Sequence, residues 1–392
     1  MEKEVYIVSA TRTPIGDFGG SLKGASATEL AMQIMDAALG RVGIEKGALD
    51  LVTMGNCFDP IANNIARIAA VNLGIPLETP AFSVSCTCGS GLQAIISGCQ
   101  ALQQKDVGVV LSGGVESMSN APYISTSNRW GSRLQHTQLF DLVWKSMQEY
   151  PVGVGMGLTA ENLAEKDHIS RQEQDELSLI SQNRACKAIK DGRFKEEITP
   201  VTISRKGRDP LFIETDEHPR PGLAIENLAK LPAAFKKGGT VTAGNSSGIN
   251  DGAAAVILMD GDKLREFGIQ PLARILDYAV VGVDPDYMGI GPVPATRKVL
   301  EKTGLSLDDI GLIELNEAFA AQYLSCEKAL GLNRDITNVN GSGIALGHPV
   351  GCTGARMIVS LVHEMKKRGV SKGISTLCAG GGQGFAMVVE SL

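Results

Sequence analysis

The chain repeats itself. Gly43 to Val52 (GIEKGALDLV) is built like Gly304 to Ile313 (GLSLDDIGLI). Each segment follows an amphipathic helical pattern, near 28–40 and 295–303, and runs into a strand and then a second helix. Those second helices stop at Gly74 and Gly331. Cysteine-bearing regions also fall in corresponding parts of the two copies, with buried strands expected at Val107–Gly114 and Gly384–Glu390. Strands alternating with helices in this way argue for α/β units around a largely buried sheet. Two copies, about 1–118 and 271–392, form a pseudo-symmetric pair. The stretch 119–249 between them has a different texture. Ser170-Arg171-Gln172-Glu173 reads as a capping box, and Leu177, Ile180, Ala185, Ala188 and Ile189 mark one helical face up to Gly192. Residues 119–249 are therefore expected to form an inserted loop domain. Residues 250–270 would return to the first half through a strand at Ala253–Met259.

A length of 392 residues accommodates two or three domains at about 150 residues each. No apolar run approaches the ~18 residues expected of a membrane span, and the polar lead Met1–Glu4 lacks the apolar core of a secretory signal. The cytoplasm is the expected location. Eight scattered cysteines read as reduced thiols rather than a disulfide framework, and the five histidines are too dispersed to complete a metal site with them. A formal charge of −6 argues against nucleic acid as the main partner. Residues 120–249 hold 17 lysines and arginines against 16 acids, so this segment is less acidic than the rest. That unevenness suits an anionic ligand, and equally suits chance variation among solvated charges.

Three Gly-rich segments carry the chemistry. Cys88 precedes Gly89-Ser90-Gly91 and a helical pattern, where unpaired N–H groups and the helix dipole favour thiolate and lower a thiol's pKa. Cys88 is a nucleophile or, as for most free cysteines, a buried inert residue. The latter reading fits Cys86, Cys99, Cys186 and Cys326. His348 lies among Gly343, Gly347, Pro349 and Gly351 before a helix at Thr353–Lys366, a loop setting that suits a base or hydrogen-bond donor better than a packed core residue. Cys378 precedes Gly380-Gly381-Gly382, whose N–H groups suit an anion-binding nest. Asn316, at the end of a strand, is either an N-cap or an amide fixing a water or oxyanion.

Taken together and in this order, these segments resemble the thiolase family. The similarity runs along essentially the whole chain. It also includes Gly113–Ser119, Asp216–Pro221, Thr240–Ala254, Met288-Gly289-Ile290-Gly291-Pro292, Asn316-Glu317-Ala318-Phe319 and Gly347-His348-Pro349. The resemblance implies an α/β fold of two βαβαβαββ halves in five α-β-α-β-α layers, with a loop domain covering the active site. It implies reversible CoA-dependent Claisen condensation and thiolysis, two acetyl-CoA giving acetoacetyl-CoA and CoA. The alternative is a 3-ketoacyl-CoA thiolase of β-oxidation acting on longer chains. A non-catalytic acyl-CoA carrier or a ketosynthase on the same fold is disfavoured by the presence of Cys88, His348, Cys378 and the Asn316–Phe319 run together.

By the same resemblance Cys88 accepts the acyl group, His348 activates it, and Cys378 is the acid/base at the α-carbon. Asn316 holds a water that polarises one thioester oxygen with His348, and the N–H groups of Cys88 and Gly380 form a second oxyanion site. Ser247, Ala243 and Gly244 contact the pantetheine arm, Arg220 lies at the nucleotide end of CoA, and Met156, Met288 and Phe319 line the acyl and pantetheine pocket. No permanently bound cofactor is implied, CoA being substrate and product. A homotetramer, a dimer of dimers, is expected. Two departures stand out. Position 87 is Thr where many relatives carry a larger apolar residue, and the loop-domain stretch is Val154-Gly155-Met156-Gly157, without the histidine common in short-chain enzymes. Gly155 is expected to leave room in the acyl pocket.

Overall fold

The computed structural model describes residues 3–104, 106–134 and 136–392; Met1 and Glu2 of the polar lead lie outside them. The first half contains strands β1 (Val5–Arg12), β2 (Leu51–Gly55), β3 (Ala81–Val84), β4 (Val109–Ser117) and β5 (Asn250–Asp260), with helices α1 (Ala27–Gly40), α2 (Ile65–Leu73) and α3 (Ser90–Leu102) between the first four. The insertion between β4 and β5 carries α4 (Leu142–Gln148), α5 (Met156–Lys166) and α6 (Arg171–Lys190). The second half contains β6 (Ala273–Gly282), α7 (Pro292–Thr303), β7 (Leu312–Leu315), α8 (Ala320–Leu330), α9 (Thr353–Arg368), β8 (Lys372–Ala379) and β9 (Gln383–Ser391). Strand order in the first half is β3-β2-β4-β5-β1 and in the second β7-β8-β9-β6. The missing fifth strand of the second half survives as a parallel bridge between Ile313 and Thr337, so both halves follow the βαβαβαββ order. A short antiparallel pairing of Val5–Ile7 with Ala273–Ile275 joins the two half-sheets edge to edge.

The hydrophobic pattern assigns the layers. Successive residues of a strand point to opposite faces. In β4, Val109 and Leu111 pack with α1 and α2, whereas Val110 packs with α3 and α9. In β9, Val388 packs with α7 and α8, whereas Met387 and Val389 face α3 and α9. Strands buried on both faces read as continuous apolar runs, and two outer cores and one shared central core build the five layers. The central helices meet where neither has a side chain. A Cβ on Gly91 would lie 2.8 Å from Ala355 N, and one on Gly354 would lie 2.4 Å from Leu92 N. This reciprocal contact pairs Ser90 with Thr353 and Cys88 with Gly351.

Local signals behave as chemistry dictates. The capping boxes Ser26–Glu29 and Ser170–Glu173 start α1 and α6, while Gly74 and Gly331 end α2 and α8 in the left-handed region. The expected strands and helices are all present, each longer or shifted by a few residues. Asn316 is not an N-cap: α8 begins at Ala320 with Phe319 at its cap. The insertion is pinned to the halves by buried polar contacts. Arg12 on β1 bonds Glu197 at 2.6 Å and Asp216 at 2.7 and 2.9 Å. Ser181 on α6 donates to Glu317 at 2.6 Å.

Candidate active site

At the C-terminal ends of the strands, the turn before α3 presents Cys88. Thr87 has φ +49°, the left-handed region that a β-branched residue adopts only under strain. Local bonds hold it there. The Ser90 hydroxyl donates to Thr87 C=O at 2.6 Å and accepts the Cys86 N–H at 2.8 Å. Thr87 Oγ1 donates to Gly380 C=O at 3.3 Å, tying this turn to the one after β8. In that second turn Gly381 and Gly382 adopt φ +85° and +84°, which glycine does without steric cost. The result aims the N–H groups of Gly380 and of Cys88 itself at Cys88 Sγ.

His348 reaches the same place from the loop before α9. Gly347 has φ +101°, and a Cβ there would lie 2.5 Å from Asn250 Cγ. The close approach lets Asn250 Oδ1 accept the His348 N–H at 2.9 Å. The ring is buried, 6% exposed, contrary to the expectation that a Gly-rich loop would keep it out of the packed interior. His348 Nδ1 lies 2.6 Å from Thr353 Oγ1, and that hydroxyl donates to Pro349 C=O at 2.9 Å. Thr353 therefore accepts from Nδ1–H, and Nε2, which has no partner among the described residues, carries the lone pair. Burial, with Arg356 adding to it, drives the imidazole down to about 3. His348 is a neutral imidazole at physiological pH.

The helix start does not make Cys88 a resting thiolate. Burial outweighs the two amides and pushes the thiol up to about 11. The expectation of a lowered value fails because removing the anion from water costs more than two N–H bonds restore. Cys88 and His348 thus rest as a neutral thiol and a neutral imidazole. Cys378, at the end of β8, is fully buried, and burial followed by the neighbouring Cys88 raises its thiol well above the usual range. Asn316 is fully buried, and neither end of its amide has a partner among the described residues. Buried amides are normally satisfied, so this one is built to hold something small.

A cavity of about 280 Å³ brings Cys88 and His348 together. Cys88, His348, Gly380, Met156, Met288, Ser247 and Phe319 line it, and Phe235 packs edge-on against Phe319 with ring centroids 6.0 Å apart. Cys378 and Asn316 are buried outside its lining. Arg220 and Ala243 are exposed on the insertion, and Gly244 packs against Leu228 and Leu231; none of the three lines the cavity. Cys86 and Cys186 are half-buried rather than buried. Several lining residues had no motif to announce them, Cys57 and Tyr150 among them. Cys57 follows β2 and lies 3.2 Å from Ser90 Oγ. Tyr150 follows α4, with its hydroxyl 3.2 Å from where a Cβ on Gly381 would sit. The room expected at Gly155 is already occupied. A Cβ there would lie 2.7 Å from Gln148 O, because the main chain at the end of α4 fills that space.

Comparison with known proteins identifies the family and the fold. Residues 5–262 match the pattern described as thiolase, N-terminal domain, and residues 269–391 match thiolase, C-terminal domain. The chain is 47% identical over 398 residues to an acetyl-CoA acetyltransferase of Syntrophomonas wolfei, covering 100% of both. It is also 47% identical over 391 residues to the mitochondrial 3-ketoacyl-CoA thiolase of Bos taurus, covering 99% of this chain and 98% of the relative. The crystal structure of the Bacillus anthracis acetyl-CoA acetyltransferase superposes with a TM-score of 0.97 at 49% identity, covering 100% of this chain and 99% of the other. The human mitochondrial 3-ketoacyl-CoA thiolase in complex with CoA gives 0.95 at 46% identity, covering 100% and 98%. With the matched domains, the full-length relatives and the five-layer fold in agreement, the chain belongs to the thiolase family.

Proposed function

We propose that this thiolase catalyses reversible CoA-dependent thiolysis and Claisen condensation of short 3-ketoacyl-CoA, with acetoacetyl-CoA as the main substrate. The observation that carries the reading is one cavity shared by the Cys88 thiol, two amides aimed at it and the free Nε2 of a neutral His348. In thiolysis Cys88 Sγ attacks the 3-keto carbon while its proton passes to His348 Nε2. The bond between C2 and C3 breaks, leaving acetyl on Sγ and acetyl-CoA as its enolate. Cys378, kept protonated by burial, gives its proton to that α-carbon. The imidazolium proton then returns to the Cys378 thiolate, so that His348 is again neutral. Incoming CoA thiol gives its proton to His348 Nε2 and takes the acetyl group, and Sγ leaves and recovers that proton from the imidazolium. Condensation is the reverse, with Cys378 withdrawing the α-proton. The N–H groups of Cys88 and Gly380 stabilise the oxyanion on the acylated carbon, a task for donors fixed in advance in a dry site. Asn316 and His348 serve the other thioester oxygen through a water.

Residues 119–249 act as the CoA-covering domain, with Ser247, Ala243 and Gly244 along the pantetheine and Arg220 at the nucleotide end. Substrate length follows from Gly155. The Gln148 main chain and Tyr150 close the acyl end, and the cavity sits near the lower limit of ligand pockets, about 300 Å³. Met156 and Met288 adapt to varied shapes and favour the second reading, a 3-ketoacyl-CoA thiolase for longer chains. Comparing kcat/KM for 3-ketohexanoyl-CoA and acetoacetyl-CoA separates them. A ratio below one is expected, and a ratio well above one overturns the short-chain reading.

A homotetramer, as a dimer of dimers, is proposed from exposed apolar surface. Phe82 on edge strand β3, Ile61 and Leu77 are exposed in the first half, and Trp130, Leu134 and Leu139 are exposed on the insertion. Unpaired edges and such patches invite association. A light-scattering mass near 41.3 kDa would refute it. Eight free thiols fit the reducing cytoplasm.

A further inference from the structure

Glu116 lies at the end of β4, fully buried. Its carboxylate collects four N–H donors: Asn56 Nδ2 at 2.9 Å and Phe58 N at 3.0 Å on Oε1, Cys57 N at 3.0 Å and Gly351 N at 2.9 Å on Oε2. Burying a carboxyl is costly unless its oxygens are bonded, and here every bond serves a segment that shapes the cavity. Asn56–Phe58 leave β2 and place Cys57 and Phe58 on the cavity wall. Gly351 is three residues beyond His348, in the turn that enters α9. Phe58, Met118, Val143 and Val350 form one small apolar cluster against which Cys57 and Cys88 pack. The carboxylate thus joins the His348 loop, which belongs to the second half, to the wall around Cys88, which belongs to the first.

We propose that Glu116 is a positioning residue: it clamps the His348–Gly351 loop to the Asn56–Phe58 wall, setting base against nucleophile. This inference rests on Cys88 as nucleophile and His348 as its base. Among the described residues, three thiols feel the carboxylate: Cys57, Cys88 and Cys352. Its negative charge raises Cys88 beyond what burial does alone. Burial, opposed by the backbone N–H groups, pushes Glu116 itself up to about 7.

The test compares full-length wild type with Glu116→Gln, in acetoacetyl-CoA thiolysis and in iodoacetamide alkylation of Cys88 as a function of pH. The amide keeps the size of the side chain and loses both the charge and one acceptor. The expected result is a kcat lower by at least about tenfold, KM changed by less than about threefold, and an alkylation profile displaced to lower pH. Glu116→Asp keeps the charge and should leave the alkylation profile in place while kcat still falls, because the shorter side chain cannot span both segments. A folded Glu116→Gln enzyme with wild-type kcat, or with an unmoved alkylation profile, overturns the proposal. If the glutamine variant does not fold, Asn56→Ala decides, since it removes one donor and keeps the carboxylate. A fall in kcat there supports the clamp, and wild-type kcat refutes it. Acyl label mapped to a thiol other than Cys88 would instead overturn the site assignment, and the clamp with it.

Discussion

Helices α3 and α9 hold matching places in the two halves, yet their entrances are used in opposite ways. Two residues before α3 stands Cys88; two residues before α9 stands Gly351. Both positions present backbone N–H groups near a helix start, where negative charge is favoured. At Gly351 that capacity is spent on a buried carboxylate, since its N–H donates to Glu116 at 2.9 Å. At Cys88 the amides face a thiol at the edge of a cavity. Anion binding at these helix starts is a property of the fold. Which start becomes catalytic depends on the side chain carried there and on leaving the amides for a transient oxyanion.

The largest effect expected from breaking this asymmetry is at Cys88. Cys88→Ala turns the open entrance into one without a nucleophile. It should abolish acyl-enzyme formation, with turnover lower by ~10⁴-fold or more. Mass mapping after brief exposure to acetoacetyl-CoA should place acetyl on Cys88 in the wild type. Label on Cys86 together with an active Cys88→Ala enzyme would overturn the assignment. Cys378→Ser comes next. It should leave Cys88 acylation by acetyl-CoA intact while condensation falls by at least ~10²-fold, the usual contribution of a general acid/base. An equal loss in both half-reactions would mean that Cys378 acts in both or supports the site passively.

Much of this arrangement was legible in the sequence because it depends on local rules. The capping boxes at Ser26 and Ser170, the glycine stops at Gly74 and Gly331, and the repeated strand-helix order follow from short-range stereochemistry. The segments proposed as catalytic drew notice because glycines cluster where backbone must approach a ligand. The remainder depends on distant parts of the chain. Cys88 is raised rather than lowered because the first half, the second half and the insertion together crowd its half-buried thiol and limit the water that reaches it, and no local pattern reports that. Gly155 looked like empty space until Gln148, seven residues earlier, proved to fill it. Glu116 stood within Gly113–Ser119 with no visible partner, because Gly351 lies 235 residues away. The N-cap reading of Asn316 failed because Glu317, Ala318 and Phe319 still separate it from α8.

The reversed thiol pKa gives the third prediction. With Cys88 pushed up to about 11 and His348 held down to about 3, the resting pair is neutral near pH 7. A raised thiol pKa leaves only a small thiolate fraction there, and that fraction grows as pH rises toward 11. Iodoacetamide alkylation of Cys88 in the free enzyme should therefore climb about tenfold per pH unit between about 7 and 10. A rate already flat above pH 7 would reveal a resting thiolate–imidazolium pair. In that case the amides at this helix start would outweigh burial after all.

The smallest expected effect separates the two entrances by stability rather than by rate. At Gly351 a methyl group would meet Glu116 Oε2 at 2.7 Å, Asn56 Cα at 2.8 Å and Val115 O at 2.9 Å. Two of those three are backbone atoms held in β2, β4 or the chain leaving them, so they cannot swing aside. Gly351→Ala should cost about 1–3 kcal/mol, the usual range for overpacking a closed site. At Gly380, across from Cys88, the nearest atom to an added Cβ is Met156 Sδ at 3.2 Å, followed by Met156 Cε and Thr87 Cγ2 at 3.5 Å. A methionine can turn away into the cavity. Gly380→Ala should therefore change stability by less than about 1 kcal/mol, while lowering kcat by crowding the oxyanion position. Urea midpoints of the two variants at a common m-value measure the difference directly. Equal losses at both positions would show that the entrance beside Cys88 is packed as tightly as the one at Gly351, and that its openness does not distinguish it.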